Sequence, residues 1–230
     1  MKINIIVFLC YFITFNLTSQ TRDIEVTYAL KLDGTKDKSD LISAFESQKF
    51  LLQSSMEESL FYSNVQMSTE ETKNDYLAKR YSGANDTYYC NLKTKTGLKQ
   101  TEAFGSYFLI DISNNSTNWV ITKETKRISG FNCFKANKIL EIENYKGENK
   151  EVSITAWYCP EINISSGPLG YFGLPGLILE LQTAKMIYYA TTIKINADKN
   201  LKIEMPINGK RVTQKEFNSI GKKMIENRKW

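Results

Sequence analysis

The chain reads as mainly β, of the α+β kind: a large curved antiparallel sheet or half-barrel, with a few helices that include one at the C-terminus. Three observations carry that expectation. Short runs rich in β-branched and aromatic residues recur from residue 23 to residue 205, the composition that favours strands. Nowhere does strand alternate with a long helical stretch, as parallel βαβ sheets require. Helical spacing with a cap is confined to a few places. A closed barrel and a sandwich are left open as alternatives.

Residues 1–20, MKINIIVFLCYFITFNLTSQ, carry one charge, Lys2, then an apolar run from Ile5 to Phe15, then small and polar residues. That is the layout of a secretory signal peptide, and the run is shorter than the roughly 20 apolar residues of a spanning helix. Cleavage is expected near Ser19 or Gln20. Cys10 leaves with the leader, because Leu9 is not the small residue that precedes a lipid-accepting cysteine. No later segment is apolar enough to span a bilayer. The expected organisation is a signal peptide, 1–20, and a single β-rich domain, 21–230, in the periplasm or secreted, with at most peripheral membrane association. Such a domain can bury one sizeable core.

Residues 23–32 alternate, with Ile24, Val26, Tyr28, Leu30 and Leu32 on one face of a strand. Residues 39–50 place Leu41, Ile42 and Phe45 at helical spacing. Two strands, FLLQS and SLFYSNVQM, follow across the turn SMEE. Ser68 and Glu71 stand at capping-box spacing ahead of a helix or a polar excursion. Residues 86–112 hold two or three strands, and 119–130 continue with β-type residues. LILELQT, IYYATTIKI and LKIEM are strands again. Thr213 and Glu216 form a second capping box, opening a C-terminal helix striped with Phe217, Ile220, Met224 and Ile225.

Between residues 131 and 159, two strand-like runs flank the polar turn NYKGENK. A hairpin turning near Lys146 would set Cys133 opposite Cys159. Opposed residues have Cα atoms about 4.5 to 5.5 Å apart, within disulfide range, and export makes the bond chemically possible. Two buried free thiols are the alternative. Cys90 is the odd one out, a buried thiol.

The stretch GPLGYFGLPGLILEL, residues 167–181, combines loop residues with apolar ones. Leu174-Pro175-Gly176-Leu177 fits a type II turn, with proline second and glycine third. Leu169, Tyr171, Phe172 and Leu174 either plug the end of the protein's own core or form an exposed patch for a ligand, lipid or partner. Trp157, at a strand position, is a core residue or lines a ligand groove.

Here the sequence resembles the GLPGLI family of exported bacterial proteins. The resemblance rests on GLPGLI itself (173–178), WVITKETKRISGFNCFKA (119–136), AWYCPEI (156–162) and, more loosely, ESLFYS (58–63). It implies an envelope or secreted β-rich protein with no established activity. It supplies no catalytic or binding residues, and no support for a family-wide disulfide, since Cys159 departs from the family's usual small polar residue.

The chain contains no histidine. That excludes Ser-His-Asp and Cys-His nucleophile pairs and histidine-based zinc and iron sites. Its cysteines lack CxxC spacing, and no phosphate-cradling loop is present. No cofactor or metal is expected. The formal charge of +5 falls by one with the leader's Lys2, and the basic residues are scattered, densest at 93–99 and 209–211, which read as solvated turns. A nucleic-acid face needs clustered cations, so none is expected. Glu124, Glu161 and Glu180 are the carboxylates that hydrolytic chemistry could use. The expected function is a non-enzymatic envelope binding or scaffold protein, using Trp157, Tyr171, Phe172 and Leu174 toward a lipid, peptide or outer-membrane protein. The alternatives are a purely structural envelope protein whose loop is a core plug, and a carboxylate-dependent hydrolase.

Overall fold

The structure is a computed structural model that describes residues 23–34, 39–64, 71–143, 149–196 and 201–227. The expected leader, Cys10 and the expected Ser68 cap lie outside the described residues. The chain folds as β1 (Ile24–Leu32), α1 (Asp40–Glu46), β2 (Lys49–Ser54), β3 (Glu58–Ser63), α2 (Lys73–Tyr81), β4 (Thr87–Asn91), β5 (Thr96–Ala103), β6 (Ser106–Asp111), β7 (Val120–Ile128), β8 (Phe131–Glu143), β9 (Asn149–Cys159), β10 (Leu177–Thr183), β11 (Met186–Ile195), β12 (Lys210–Val212) and α3 (Gln214–Glu226).

The strands form one twelve-stranded sheet in the order β12-β6-β5-β4-β3-β2-β1-β11-β10-β9-β8-β7. Two antiparallel meanders, β1 to β6 and β7 to β11, are joined where β1 pairs with β11. The expected mainly β fold with a C-terminal helix is what the chain adopts, but the sheet is mixed. Among the described residues its one parallel pair is β12 on β6, and its terminal strands β12 and β7 are not neighbours, so it is open.

The connection from β6 to β7 shows that this sheet curls. Those two strands stand ten positions apart in the order. Flat, ten spacings would need about 48 Å. The chain from Asp111 to Val120 can reach only about 30 Å when fully extended. The two wings must therefore bend toward each other. A half-barrel is the consequence of a short connection.

Alternation in β1 does what its sequence implies: Ile24, Val26, Tyr28 and Leu30 are buried. They join Phe50, Leu52, Phe61, Tyr88 and Tyr188 in the main core, with Ala44 and Phe45 of α1 and Ala78 of α2. Phe50 and Phe61 stack at 5.2 Å between ring centroids. A second cluster holds Ala136, Ile154, Ala156, Tyr158, Ile178 and Leu181. The third is smaller, where Phe217 and Ile220 of α3 pack on Phe108, Ile110 and Val212.

Three expectations need correction. The cap of α2 is Thr72 with Asp75, a reciprocal capping box, so the segment is a helix that starts later than Ser68 would have placed it. LKIEM, residues 201–205, joins no ladder, because the edge it could use, β6, is taken by Lys210–Val212. The solvated turn expected at 209–211 is instead largely this strand, which is too short and too charged to show alternation in sequence. The Thr213–Glu216 box opens α3 as expected: Glu216 accepts from the Thr213 N–H at 2.7 Å.

Burial of hydroxyl and thiol groups has a consequence in alkaline solution. Desolvation pushes the Tyr28, Tyr88, Tyr171 and Tyr188 hydroxyls well above their ordinary range. In the reduced protein it pushes the Cys90 and Cys133 thiols up to about 12. A raised folded-state pKa gives stability that is complete below the unfolded pKa and lost as pH rises toward the folded one. Lys138, lowered to about 8 by burial, works the other way between its folded and unfolded values, but it is one group against six. Each raised group removes about 1.4 kcal/mol for every pH unit above its unfolded pKa. The midpoint of urea unfolding should hold from pH 7 to pH 9 and fall steeply by pH 11. A midpoint that rises over that range would contradict these burials.

Candidate functional site

The GLPGLI loop leaves β9 at Cys159 and enters β10 at Leu177. Its apolar side chains point inward: Tyr171 is 7 % exposed, Phe172 1 % and Leu174 2 %. Tyr171 and Leu174 fill the second cluster against Tyr158 and Ile178, and Leu169 touches both that cluster and the main core. The loop is a plug. The patch expected at Tyr171, Phe172 and Leu174 does not exist as a surface, because the curled sheet leaves a concave gap that these residues fill.

The turn also differs from expectation. A type II turn would bond Leu177 N–H to Leu174. Instead, Leu177 N–H bonds Ile162 O at 3.0 Å, back across the mouth of the loop. Gly176 N–H turns to Leu174 O at 2.8 Å, a three-residue turn about Pro175. Gly176 still has to be glycine: φ is +150°, and a Cβ there would lie 2.2 Å from Cys159 O.

The short β6–β7 connection clamps the plug from outside. Its 3₁₀ turn, Ser113–Ser116, presses Ser116 O against Gly173, where a Cβ would sit 2.1 Å away at a φ of +91°. Trp119 packs edge-on to Tyr171, 6.0 Å between centroids, and its Nε1–H donates to Phe172 O at 2.9 Å. Lys138, only 3 % exposed, donates to Asn114 O and, at 2.8 Å, to Thr117 O. Its ammonium lies 5.8 Å from the Trp119 ring centre. On the far wing, Gly170 O accepts from the Cys90 thiol, and its α-carbon packs beside Tyr88 and Ile112. The plug thus contacts both meanders, and the connection holds it down.

Lys138 was not singled out from sequence, though a signal existed. It shares the β8 face of Ala136 and Leu140, so a charge stands in an apolar row.

Trp157 lies on the opposite face, half-buried. Lys126 Nζ sits 4.4 Å above its ring and bonds Glu180 at 2.7 Å. Lys135, 6.0 Å from the same ring, pairs with Glu124 at 3.0 Å. Glu161 accepts from Asn132 N–H at 3.2 Å. The three carboxylates are thus committed to lysines or backbone, and Trp157 is a packed cation–π platform.

Cys133 and Cys159 are both fully buried, and the structure holds them as thiols. The β8–β9 hairpin has the register expected of a turn near Lys146: the ladder runs unbroken from Glu143 opposite Asn149 to Phe134 opposite Tyr158.

A cleft of about 450 Å³ lies at the other end of the sheet, beside the first turn of α3 and on the sheet face opposite the one that α3 packs against. Tyr89, Leu98, Leu109, Met205 and Val212 give it apolar walls, and Asp111, Arg211 and Glu216 are its charged lining, with Asp111 accepting from the Ser113 hydroxyl at 2.6 Å. A shallower groove of about 390 Å³ shares Arg211, Val212 and Glu216 and adds Lys210, Lys215 and Lys223. Four cations there face one carboxylate, which Thr213 already holds. Among the described residues no group of three or more Cys, Asp or Glu is placed to hold a metal ion, and no helix is long and apolar enough to cross a membrane.

The model of a family described as a protein of unknown function (Porph_ging), the GLPGLI family, matches residues 140–180. The GLPGLI match covers the second strand of the hairpin, the plug and the entry to β10, the region of the fold where the clamp converges. Two structures of PNGF-II, in C2 and P21 space groups, resemble this chain with TM-scores of 0.52. They are 14% and 16% identical to it over 86% of its length. The chain spans about a third of theirs, 32% and 33%. The likeness is one of fold alone. LprF from Mycobacterium bovis is looser, 10% identical with a TM-score of 0.31 over 80% of this chain and 89% of its own. No curated protein sequence matches the chain.

Proposed function

We propose that the chain is an exported, non-enzymatic envelope protein that binds an anionic amphiphile in the cleft beside the first turn of α3, with the GLPGLI loop acting as its internal plug. The observation that carries this reading is the pairing of an apolar cleft with a basic rim. Leu98, Leu109 and Met205 would take a hydrocarbon body, while Arg211, Lys210, Lys215 and Lys223 would face the acidic head. Volumes of this order suit a small ligand, and an apolar wall with a few polar groups is the usual composition of such sites. The neutralised carboxylates Glu124 and Glu180 support a non-catalytic role. The leader-like residues 1–20 support export.

The test is titration of the purified protein with a fluorescent long-chain fatty acid, followed by the double variant Arg211→Glu, Lys215→Glu. Saturable binding by the unaltered protein, weakened at least tenfold by the reversal, is the expected result; tenfold corresponds to about 1.4 kcal/mol. Absence of saturable binding, together with no amphiphile in the native mass spectrum of protein purified from its host, would overturn the proposal. Cell fractionation tests the location separately.

A further inference from the structure

We propose that Cys133 and Cys159 become a disulfide in the exported protein, fastening the β8–β9 hairpin at the root of the GLPGLI plug. The β8–β9 ladder has no bulge over its ten pairs, Phe134–Tyr158 to Glu143–Asn149. One further step outward along both strands sets Cys133 opposite Cys159. Directly opposed residues of an antiparallel pair have Cα atoms about 4.5 to 5.5 Å apart, inside the range of about 4.4 to 6.8 Å that a disulfide spans. Both side chains point to one face, since both belong to the main core beneath Ile162 and Ile164. Cys159 lies close enough to Cys133 to hinder the ionisation of its thiol.

The position gives the bond a purpose. Cys159 is the last residue of β9, and its carbonyl lies against Gly176, where the loop returns to the sheet. On the other side, Cys133 pairs with Lys126 of the edge strand β7. A bond there ties both ends of the plug's frame to the hairpin that the clamp already grips through Lys138. Cys90 takes no part: it lies on β4, in the other meander, and its S–H donates to Gly170 O.

Chemically, two S–H bonds break and one S–S bond forms. The two electrons and two protons pass to the disulfide of a thiol–disulfide oxidant, which is reduced to two thiols. Both cysteines are fully buried once folded, so oxidation accompanies folding. The timing in the cell rests on the export reading given above; the geometry does not.

Two experiments separate those dependencies. Protein from its own host is acid-quenched, denatured and alkylated, with and without reduction, beside cell fractionation. The expected product of the envelope fraction carries one alkyl group without reduction, on Cys90, and three with it. Wherever the leader is retained, Cys10 adds one to both. Envelope protein fully alkylated without reduction, or a bond that includes Cys90, would overturn the proposal. Should fractionation find the protein in the cytoplasm, the export reading fails, and refolding decides this one. The reduced chain, refolded with oxidised glutathione, should lose about 2 Da, mapped to the Cys133 and Cys159 peptides, and melt several degrees higher than its reduced form. Glutathione adducts on both residues, or an unchanged melting temperature despite the bond, would refute it.

Discussion

Gly173→Ala is expected to leave little folded protein at 37 °C. Gly173 holds a φ of +91°, and its missing Cβ would lie 2.1 Å from Ser116 O, 2.9 Å from that carbonyl carbon and 3.0 Å from Ser116 Cα. All three atoms are backbone, so no side-chain rotation relieves the overlap. The 3₁₀ turn that carries them cannot retreat freely, because Lys138 holds it through Asn114 O and Thr117 O. Nor can the loop move the other way without losing the bond from Gly173 N–H to Ser165 Oγ at 2.8 Å. Left-handed backbone alone costs a non-glycine residue about 1–2 kcal/mol; an overlap of this size takes the total into the range of about 4 kcal/mol or more. At about 2–4 °C per kcal/mol for a domain of this size, the melting temperature should drop by roughly 10 °C or more. Gly176→Ala, 2.2 Å from Cys159 O, should behave alike. Gly105→Ala is the control: its φ is +71°, but nothing lies within 4 Å of a Cβ there. Should Gly173→Ala prove as mild as Gly105→Ala, the clamp described above is wrong.

Phe172→Ala should destabilise the protein by about 3–5 kcal/mol, and Leu174→Ala by about 2–5 kcal/mol, the range for truncating core side chains. Phe172 is 1 % exposed, and its carbonyl anchors Trp119. These variants separate the two readings of the apolar loop more sharply than any other change. A plug loses stability when truncated and leaves ligand affinity at the distant α3 cleft unchanged at temperatures where the variant is folded. An exposed lip would do the reverse, keeping its melting temperature and losing affinity. Urea unfolding and fatty-acid titration on the same samples read both quantities.

The two variants also explain why a greasy loop can hold so many glycines and a proline. Glycine at 173 and 176 lets neighbouring backbone approach to distances that no Cβ allows. The apolar residues beside them, Tyr171, Phe172 and Leu174, supply the volume that a curled sheet needs filled. Close backbone approach and buried volume are separate requirements, and the unusual composition meets both at once.

Much of this was legible without coordinates. Alternation in β1 put Ile24, Val26, Tyr28 and Leu30 inside, because a period of two on a half-buried sheet leaves few alternatives. The register of β8 on β9 followed from counting residues either side of a polar turn. Thr213 and Glu216 announced α3 through their own hydrogen bonds. All these features are settled by neighbours close in sequence, where propensity, pattern and turn chemistry act directly.

What stayed hidden depends on contacts between distant segments. Whether Tyr171, Phe172 and Leu174 face water or core could not be read from their composition, since the same side chains serve either purpose. It was decided by the curl of the sheet, itself forced by the short span from Asp111 to Val120. Lys138 and Ser116 acquired their clamping role only when that connection was drawn across the mouth of the barrel. The basic rim at Lys210, Arg211, Lys215 and Lys223 formed when β12 added to β6 and set α3 beside it. The sequence alone determined most of the strands, the hairpin register and the cap of α3. The tertiary structure alone decided the inside of the loop, the clamp and the cleft, because a curved sheet brings together residues whose separation along the chain carries no local signal.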